Sequence, residues 1–410
     1  MQMVLGNAAL LLVDVQRDAL HPDGALGRAG QAPDATEASR LVATWGGLID
    51  LMREAGRPIV WIKTSLRPDF ADSTYAPLWL ERRLAETGPS FIEGSWGAEL
   101  MDGLDAAPDD YVVVKKGHSA YDNTHLDRLL TNLGVTQCIV VGGGVTDSIA
   151  ETARTGGRLG YEQFVVEDAL YPPNAAKLHA PRKQAEVVLA EDVYAAASAA
   201  PPSPRPGPDY AMVLVDMQND FMNAERPHVL YGLSDPMPEE KRVSIVENTH
   251  QLSAAMRERG WPVVYVRVVR RQDNSDDVHS RTHRRARTLP PGVTHCAYGT
   301  WGAEMVDELR PEEDDYVVEK KGGSGFGYTP LHRILRNLNA QRLIMTGGAV
   351  TGCVWATALD GVALGYDITV IADATYPPDS PDLPSLAEWC SVRPTAEVLA
   401  NLGAPTAAPR

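Results

Sequence analysis

The sequence predicts an α/β protein of two tandem domains, each a doubly wound, Rossmann-like parallel sheet in an αβα sandwich. Three observations predict it. The first is a long-range repeat: LLVDVQRDAL with Asp14 returns as VLVDMQNDFM with Asp216, DDYVVVKKGHSAY with Lys115 as DDYVVEKKGGSGF with Lys320, and IVVGGGVTDSIAETARTGGRLGYE with Ser148 as IMTGGAVTGCVWATALDGVALGYD with Cys353. The offset is 202 residues for the first motif and 205 for the other two, which marks a duplicated domain rather than a solenoid unit. Secondly, the strand candidates MVLVDM, PVVYVRVV, YVVEK, RLIMTGG and DITVIAD are continuously apolar, as strands covered on both faces should be. Thirdly, helical patterns such as VSIVENTHQLSAAMRERG, TPLHRILRNLN and CVWATALDGVALG alternate with those strands, which calls for a parallel sheet.

The repeat sets the domain plan. Residues 1–194 form a first domain and residues 210–410 a second, each long enough for its own core. Between them AAASAAPPSPRPGPD (195–209) is rich in proline and small residues and reads as a semi-stiff linker. A formal charge of −16 argues against nucleic acid as a partner. The basic run RTHRRAR (281–287) is a local exception and reads as a solvated face before it reads as an anion site. No apolar run is long enough to cross a bilayer, and Met1 to Ala9 lacks a charged n-region, so a soluble, cytoplasmic protein without a membrane partner is expected.

Four scattered cysteines make neither a disulfide framework nor a zinc ribbon. Cys138, Cys296 and Cys390 align with Leu343, Phe91 and Ala185 of the other copy and read as packing residues. Cys353 stands apart: it follows the glycine turn TGGAVTG at the start of a helix, where unpaired N–H groups and the helix dipole favour a thiolate. In a doubly wound sheet ligands sit at the carboxyl ends of the strands. Asp216 ends the first strand of its domain and Lys320 a middle one, so both are placed to meet Cys353. Lys320 would lower the thiol pKa further, and Asp216 would carry its proton to a leaving group. Each residue alone has a plain structural reading, as a strand-end cap, a surface lysine or a core cysteine. Their joint recurrence at matched offsets favours the chemical one.

With these motifs in view, the chain resembles two fused domains of the isochorismatase-like hydrolase superfamily, which includes nicotinamidases and N-carbamoylsarcosine amidases. The residues that carry the resemblance are VDMQNDF (215–221), GTWGAEM (299–305), DYVVEKKGGSGFGYT (315–329) and TGGAVTGCVWATALDGVALGYD (346–367). The resemblance implies a catalytic triad of Asp216, Lys320 and Cys353. It also implies a cis peptide at Gly348–Ala349 that aims the N–H of Ala349, with that of Cys353, at a substrate carbonyl oxygen. Thiolate attack would give a covalent acyl-enzyme that water hydrolyses. Phe221, Trp301, Phe326, Tyr328 and Trp355 are candidate pocket walls, and Trp355 stands where carbamoyl-handling relatives tend to place an arginine. The aspartate–histidine metal arrangement of nicotinamidases is not visible after Phe221, and His228 reads as a surface residue, so neither a metal nor another cofactor is expected. The run KKGGSGFG lacks the Walker pattern and reads as a flexible pocket loop.

The first domain keeps Asp14 and Lys115 but has Ser148 at the nucleophile position and Ala19 where the second has Phe221. A hydroxyl ionises far less readily than a thiol, and serine nucleophiles depend on a dedicated base. The first domain is therefore expected to be silent, a built-in partner forming a pseudo-dimer within the chain, with Trp96 or His118 as residues it would lend; further homo-oligomerisation stays open. The expected activity is cysteine-dependent hydrolysis of an amide, ureido or related C–N bond in a small molecule. Isochorismatase-type vinyl ether hydrolysis and a non-catalytic scaffold are the alternatives.

Overall fold

A computed structural model describes residues 3, 5–172, 181–198, 210–223, 237–273, 275–278 and 295–402. His228, the run 281–287 and most of the expected linker lie outside these. The chain divides into two compact units, Met1–Pro204 and Arg205–Arg410. Helix Ala190–Ser198 runs into the stretch expected as linker, because AEDVYAAAS is a good helix former until the prolines begin.

The first unit contains strands β1 (Ala8–Val13), β2 (Ile59–Thr64), β3 (Tyr111–Lys115), β4 (Gln137–Gly143), β5 (Glu162–Tyr171) and β6 (Glu186–Val188). Its helices include α1 (Ala35–Glu54), α2 (Pro77–Thr87), α3 (Leu126–Asn132) and α4 (Ala150–Leu159). Helix α1 opens on a side-chain cap, Asp34 accepting from the Glu37 N–H at 2.9 Å. The second unit repeats the plan with β7 (Tyr210–Val215), β8 (Val263–Val268), β9 (Tyr316–Lys320), β10 (Arg342–Gly348), β11 (Asp367–Tyr376) and β12 (Ser391–Arg393). Its helices include α5 (Glu239–Glu258), α6 (Leu331–Asn337) and α7 (Trp355–Ala363).

Both sheets are six-stranded and parallel throughout, in the order β3-β2-β1-β4-β5-β6 and its counterpart β9-β8-β7-β10-β11-β12. The direction of winding reverses between β1 and β4, and between β7 and β10, which opens a crevice at the carboxyl ends there. The continuous apolar runs are explained by two cores per sheet. Along β7, Met212 and Leu214 enter the cluster under α5, while Ala211, Val213 and Val215 enter the one shared with α6 and α7. Strand β12 escapes a reading from pattern because three residues, SVR, carry no period.

Glycine is required where β10 lies against β7. Gly347 has φ 101°, and a Cβ there would overlap the Val215 carbonyl oxygen. Beyond it the chain enters a wide helical turn in which the Val354 N–H reaches back five residues to the Ala349 carbonyl at 3.0 Å. Such π-type turns gather at functional sites. No helix among the described residues is long and apolar enough to cross a membrane.

Candidate active site

The site of the second unit is assembled from three strand ends. Val215 closes β7, and Asp216 then takes φ 53°, a left-handed conformation that aspartate tolerates better than most residues. Its N–H donates to the Val266 carbonyl at 2.8 Å, which holds the carboxylate at the crevice. Oδ1 accepts from the Val268 N–H at 3.1 Å, and Oδ2 accepts from Lys320 Nζ at 2.8 Å. Lys320, in register with Val268, also donates to the Gly322 carbonyl at 3.0 Å and to Cys353 Sγ at 3.1 Å. One ammonium thus bridges carboxylate and sulfur. Asp216 and Lys320 have no exposure and Cys353 has 6%.

The electrostatics depart from the expected pre-formed thiolate. Burial pushes the Cys353 thiol up, Asp216 adds to that, and the Lys320 ammonium offsets only part, so the thiol sits at about 11. The lysine argument holds in sign, but it loses to desolvation and a neighbouring negative charge. Burial alone would push Lys320 down; Asp216, then Cys353, more than offset this and hold its pKa above the usual lysine value. The resting arrangement at neutral pH is thiol and ammonium beside a carboxylate that accepts from both the ammonium and a backbone amide.

Three supporting residues went unnoticed in the sequence. Gln218 donates from Nε2 to the Val268 and Ala303 carbonyls, each at 2.8 Å, and accepts from the Val268 N–H at 2.9 Å, tying the Asp216 turn to the WGAE segment. Tyr376 donates to the Asp216 carbonyl at 2.6 Å, and Gly348 is small because the Tyr376 ring lies against it. Thr357 donates to the Cys353 carbonyl at 2.6 Å and accepts from the Gly325 N–H at 2.8 Å. The pairing of Gln218 with Gln16 in the repeat was a usable signal for the first. The other two needed the fold. The bond to Gly325, wedged among Val266, Leu331 and Thr357, ties the glycine run to α7 at this point.

The Gly348–Ala349 peptide is cis, as the resemblance implied. The candidate wall residues are placed variously. Phe221 is buried in the cluster that holds Ala349, edge-on to His295 at 4.6 Å. Phe326 and Trp355 pack against the cluster that holds Cys353, Phe326 stacking on Tyr366 at 5.5 Å. Trp301 is half exposed, and Tyr328 is 93% exposed. Cys138 and Cys296 are buried and Cys390 partly so.

In the first unit the same scaffold is wired differently. Lys115 Nζ lies 2.9 Å from Asp14 Oδ2 and donates to Ser148 Oγ at 3.2 Å. Thr64, where the second unit has Val268, inserts its hydroxyl: it donates to Asp14 Oδ1 at 2.7 Å and accepts from Lys115 at 2.7 Å. The Gly144 N–H donates to the Tyr171 carbonyl at 3.1 Å, and the Ser148 N–H to Asp147 Oδ1 at 3.2 Å. The counterpart of Asp147 is Gly352, which has no side chain to do the same. Tyr171, the counterpart of Tyr376, turns its hydroxyl to the Gln31 carbonyl instead.

Comparison with known proteins agrees with the repeat. The family model for the Isochorismatase domain matches twice, over residues 8–194 and 210–382. A probable inactive nicotinamidase of Arabidopsis thaliana is 34% identical over 168 residues, covering 40% of this chain and 79% of that protein. The ureidoacrylate amidohydrolase RutB of Cronobacter sakazakii is 34% identical over 179 residues, covering 40% of this chain and 74% of the enzyme. Among solved structures, an isochorismatase family protein from Desulfovibrio vulgaris aligns at 32% identity with a TM-score of 0.38, over 47% of this chain and 99% of that one.

Proposed function

The chain belongs in both halves to the isochorismatase family of hydrolases, and we propose that its second half cleaves an amide or ureido C–N bond through a covalent thioester on Cys353. The observation that carries this reading is the Lys320 ammonium held between Asp216 Oδ2 at 2.8 Å and Cys353 Sγ at 3.1 Å, with all three groups out of water. Similarity to an amidohydrolase of a ureido acid supports the bond class.

The proposed sequence begins with the thiol. A resting pKa of about 11 means that Sγ carries its proton until substrate is bound. Asp216 accepts that proton as Sγ attacks the carbonyl carbon, and Lys320 stays charged and stabilises both anions as charge moves between them. The carbonyl oxygen gathers negative charge against the N–H groups of Ala349 and Cys353. Collapse of this intermediate breaks the C–N bond, and Asp216 returns the proton to the departing nitrogen. Water then attacks the thioester with Asp216 again taking a proton, releasing the acid and restoring the thiol.

We place turnover in the second half alone. In the first, Ser148 stands in place of the thiol, and the amides of Gly144 and Ser148 already donate to protein acceptors. The test is to incubate the full chain with a panel of small ureido acids and primary amides, quench early, and look by mass spectrometry for an acyl adduct on Cys353. Cys353→Ser should lose about 10³-fold or more in kcat/KM. Full turnover by that variant, or an adduct elsewhere, overturns the reading.

A further inference from the structure

The first unit contains an open cavity of about 360 Å³ above Ser148, within the size range of small-ligand sites. Ala19 helps to make the room: it lines the cavity where the second unit carries the bulkier Phe221. One wall is a fixed aromatic group on α2 and the loop before it. Tyr75 and Trp79 stack at 4.4 Å with 25° between planes, and the His118 ring stands edge-on to both, at 4.6 and 4.5 Å. Rings locked against one another in this way offer a largely apolar wall at little entropic cost on binding.

The cavity also presents two charged side chains, Asp147 and Arg83. Asp147 accepts from the Ser148 N–H through Oδ1 and forms no ion pair among the described residues. Arg83, on α2, donates to Gln31 Oε1 at 3.2 Å and likewise forms no ion pair among them. Asp14, by contrast, is neutralised by Lys115 at 2.9 Å. Burial holds His118 below the usual histidine value despite the nearby Asp147, so the ring is neutral at pH 7 and does not compensate that carboxylate. A lining with a carboxylate whose nearby cation, Lys115, is already paired with Asp14, a guanidinium without an ion pair among the described residues, and an aromatic wall is complementary to a ring that bears an amine and a carboxylate.

We propose that the first unit is a non-covalent binding site for a small aromatic zwitterion, its carboxylate on Arg83, its amine on Asp147 and its ring against Tyr75 and Trp79. Nothing in this depends on the chemistry proposed for Cys353. Arg forks match carboxylates in two bonds, and a half-buried ion pair gains more than an exposed one. The ligand is held intact, because the amides that would face an oxyanion are already bonded within the protein.

The test uses the full chain and four probes that share one benzene ring: 4-(aminomethyl)benzoate, phenylalanine, benzoate and benzylamine. Binding is followed by calorimetry and by tryptophan fluorescence, with Trp79→Phe identifying the reporter. At least one zwitterion should bind at least tenfold tighter than benzoate and benzylamine. Arg83→Gln should abolish the advantage of a carboxylate, and Asp147→Asn that of an amine. Ser148→Ala should change affinity less than twofold. Both charged positions are partly solvent-exposed, so these variants should fold, and unchanged thermal melting verifies that. Absence of saturable binding by every probe, affinity indifferent to both charge substitutions, or a covalent adduct on Ser148 would overturn the proposal.

Discussion

The charge on Asp216 works in two directions at once. It is the proposed proton acceptor, yet it also helps to hold the Cys353 thiol at about 11. Asp216→Asn should therefore abolish turnover while making the sulfur more reactive toward iodoacetamide at pH 7, because the raising charge is gone and the thiolate becomes the remaining anionic partner of Lys320. Alkylation rates of wild type and variant, read by mass spectrometry at Cys353, check this; slower alkylation in the variant would contradict it. In the unmodified protein the same logic gives a sign for pH. Only the thiolate alkylates, so the rate should climb about tenfold per pH unit above neutrality and level off near 11. A plateau near pH 7 would mean a pre-formed thiolate.

The strand ends are where small residues decide whether the site can exist. Gly347 must hold φ 101° with nothing between it and the Val215 carbonyl. Gly347→Ala should force β10 from β7 and cost the second unit about 3 kcal/mol or more, read as a lower urea midpoint. In our proposal the turn after β4 is where the same element is disarmed. Restoring the thiol there with Ser148→Cys should give no hydrolysis in a Cys353→Ala background, since the backbone amides at positions 144 and 148 still donate to Tyr171 and Asp147. Measurable turnover by that double variant would show that the nucleophile alone separates the two halves.

For the protein as a whole, the buried triad ties stability of the second unit to alkaline pH. Lys320 has a raised pKa, so its contribution is complete below the unfolded lysine value and is lost as pH rises through the folded one. Cys353 is also raised, so the folded form holds its proton where the unfolded thiol, near 8.5, has released it. The folded state then binds more protons than the unfolded state from about pH 8.5 upward, and stability must fall with pH. The cysteine part is on the order of 2 kcal/mol by pH 10 and should vanish in Cys353→Ala, measured by denaturant titrations at pH 7 and 10. Equal alkaline losses in both proteins would remove the cysteine from this linkage.

Amphipathic and apolar periods, being local, laid down the two α/β units, their strand–helix alternation and the residues that meet at the crevice. Motifs duplicated at matched offsets, with Asp216, Lys320 and Cys353 against Asp14, Lys115 and Ser148, made the candidate site legible without any geometry. What local pattern could not supply was the outcome of competing long-range terms. Whether the thiol rises or falls depends on burial and on a carboxylate 137 residues away in the chain, and only packing sets that balance. The same holds for Thr64, Tyr376 and Asp147: each is ordinary in its own segment and acquires a role only because a polar group from elsewhere in the fold, or a turn that folds back on itself, comes within hydrogen-bond reach.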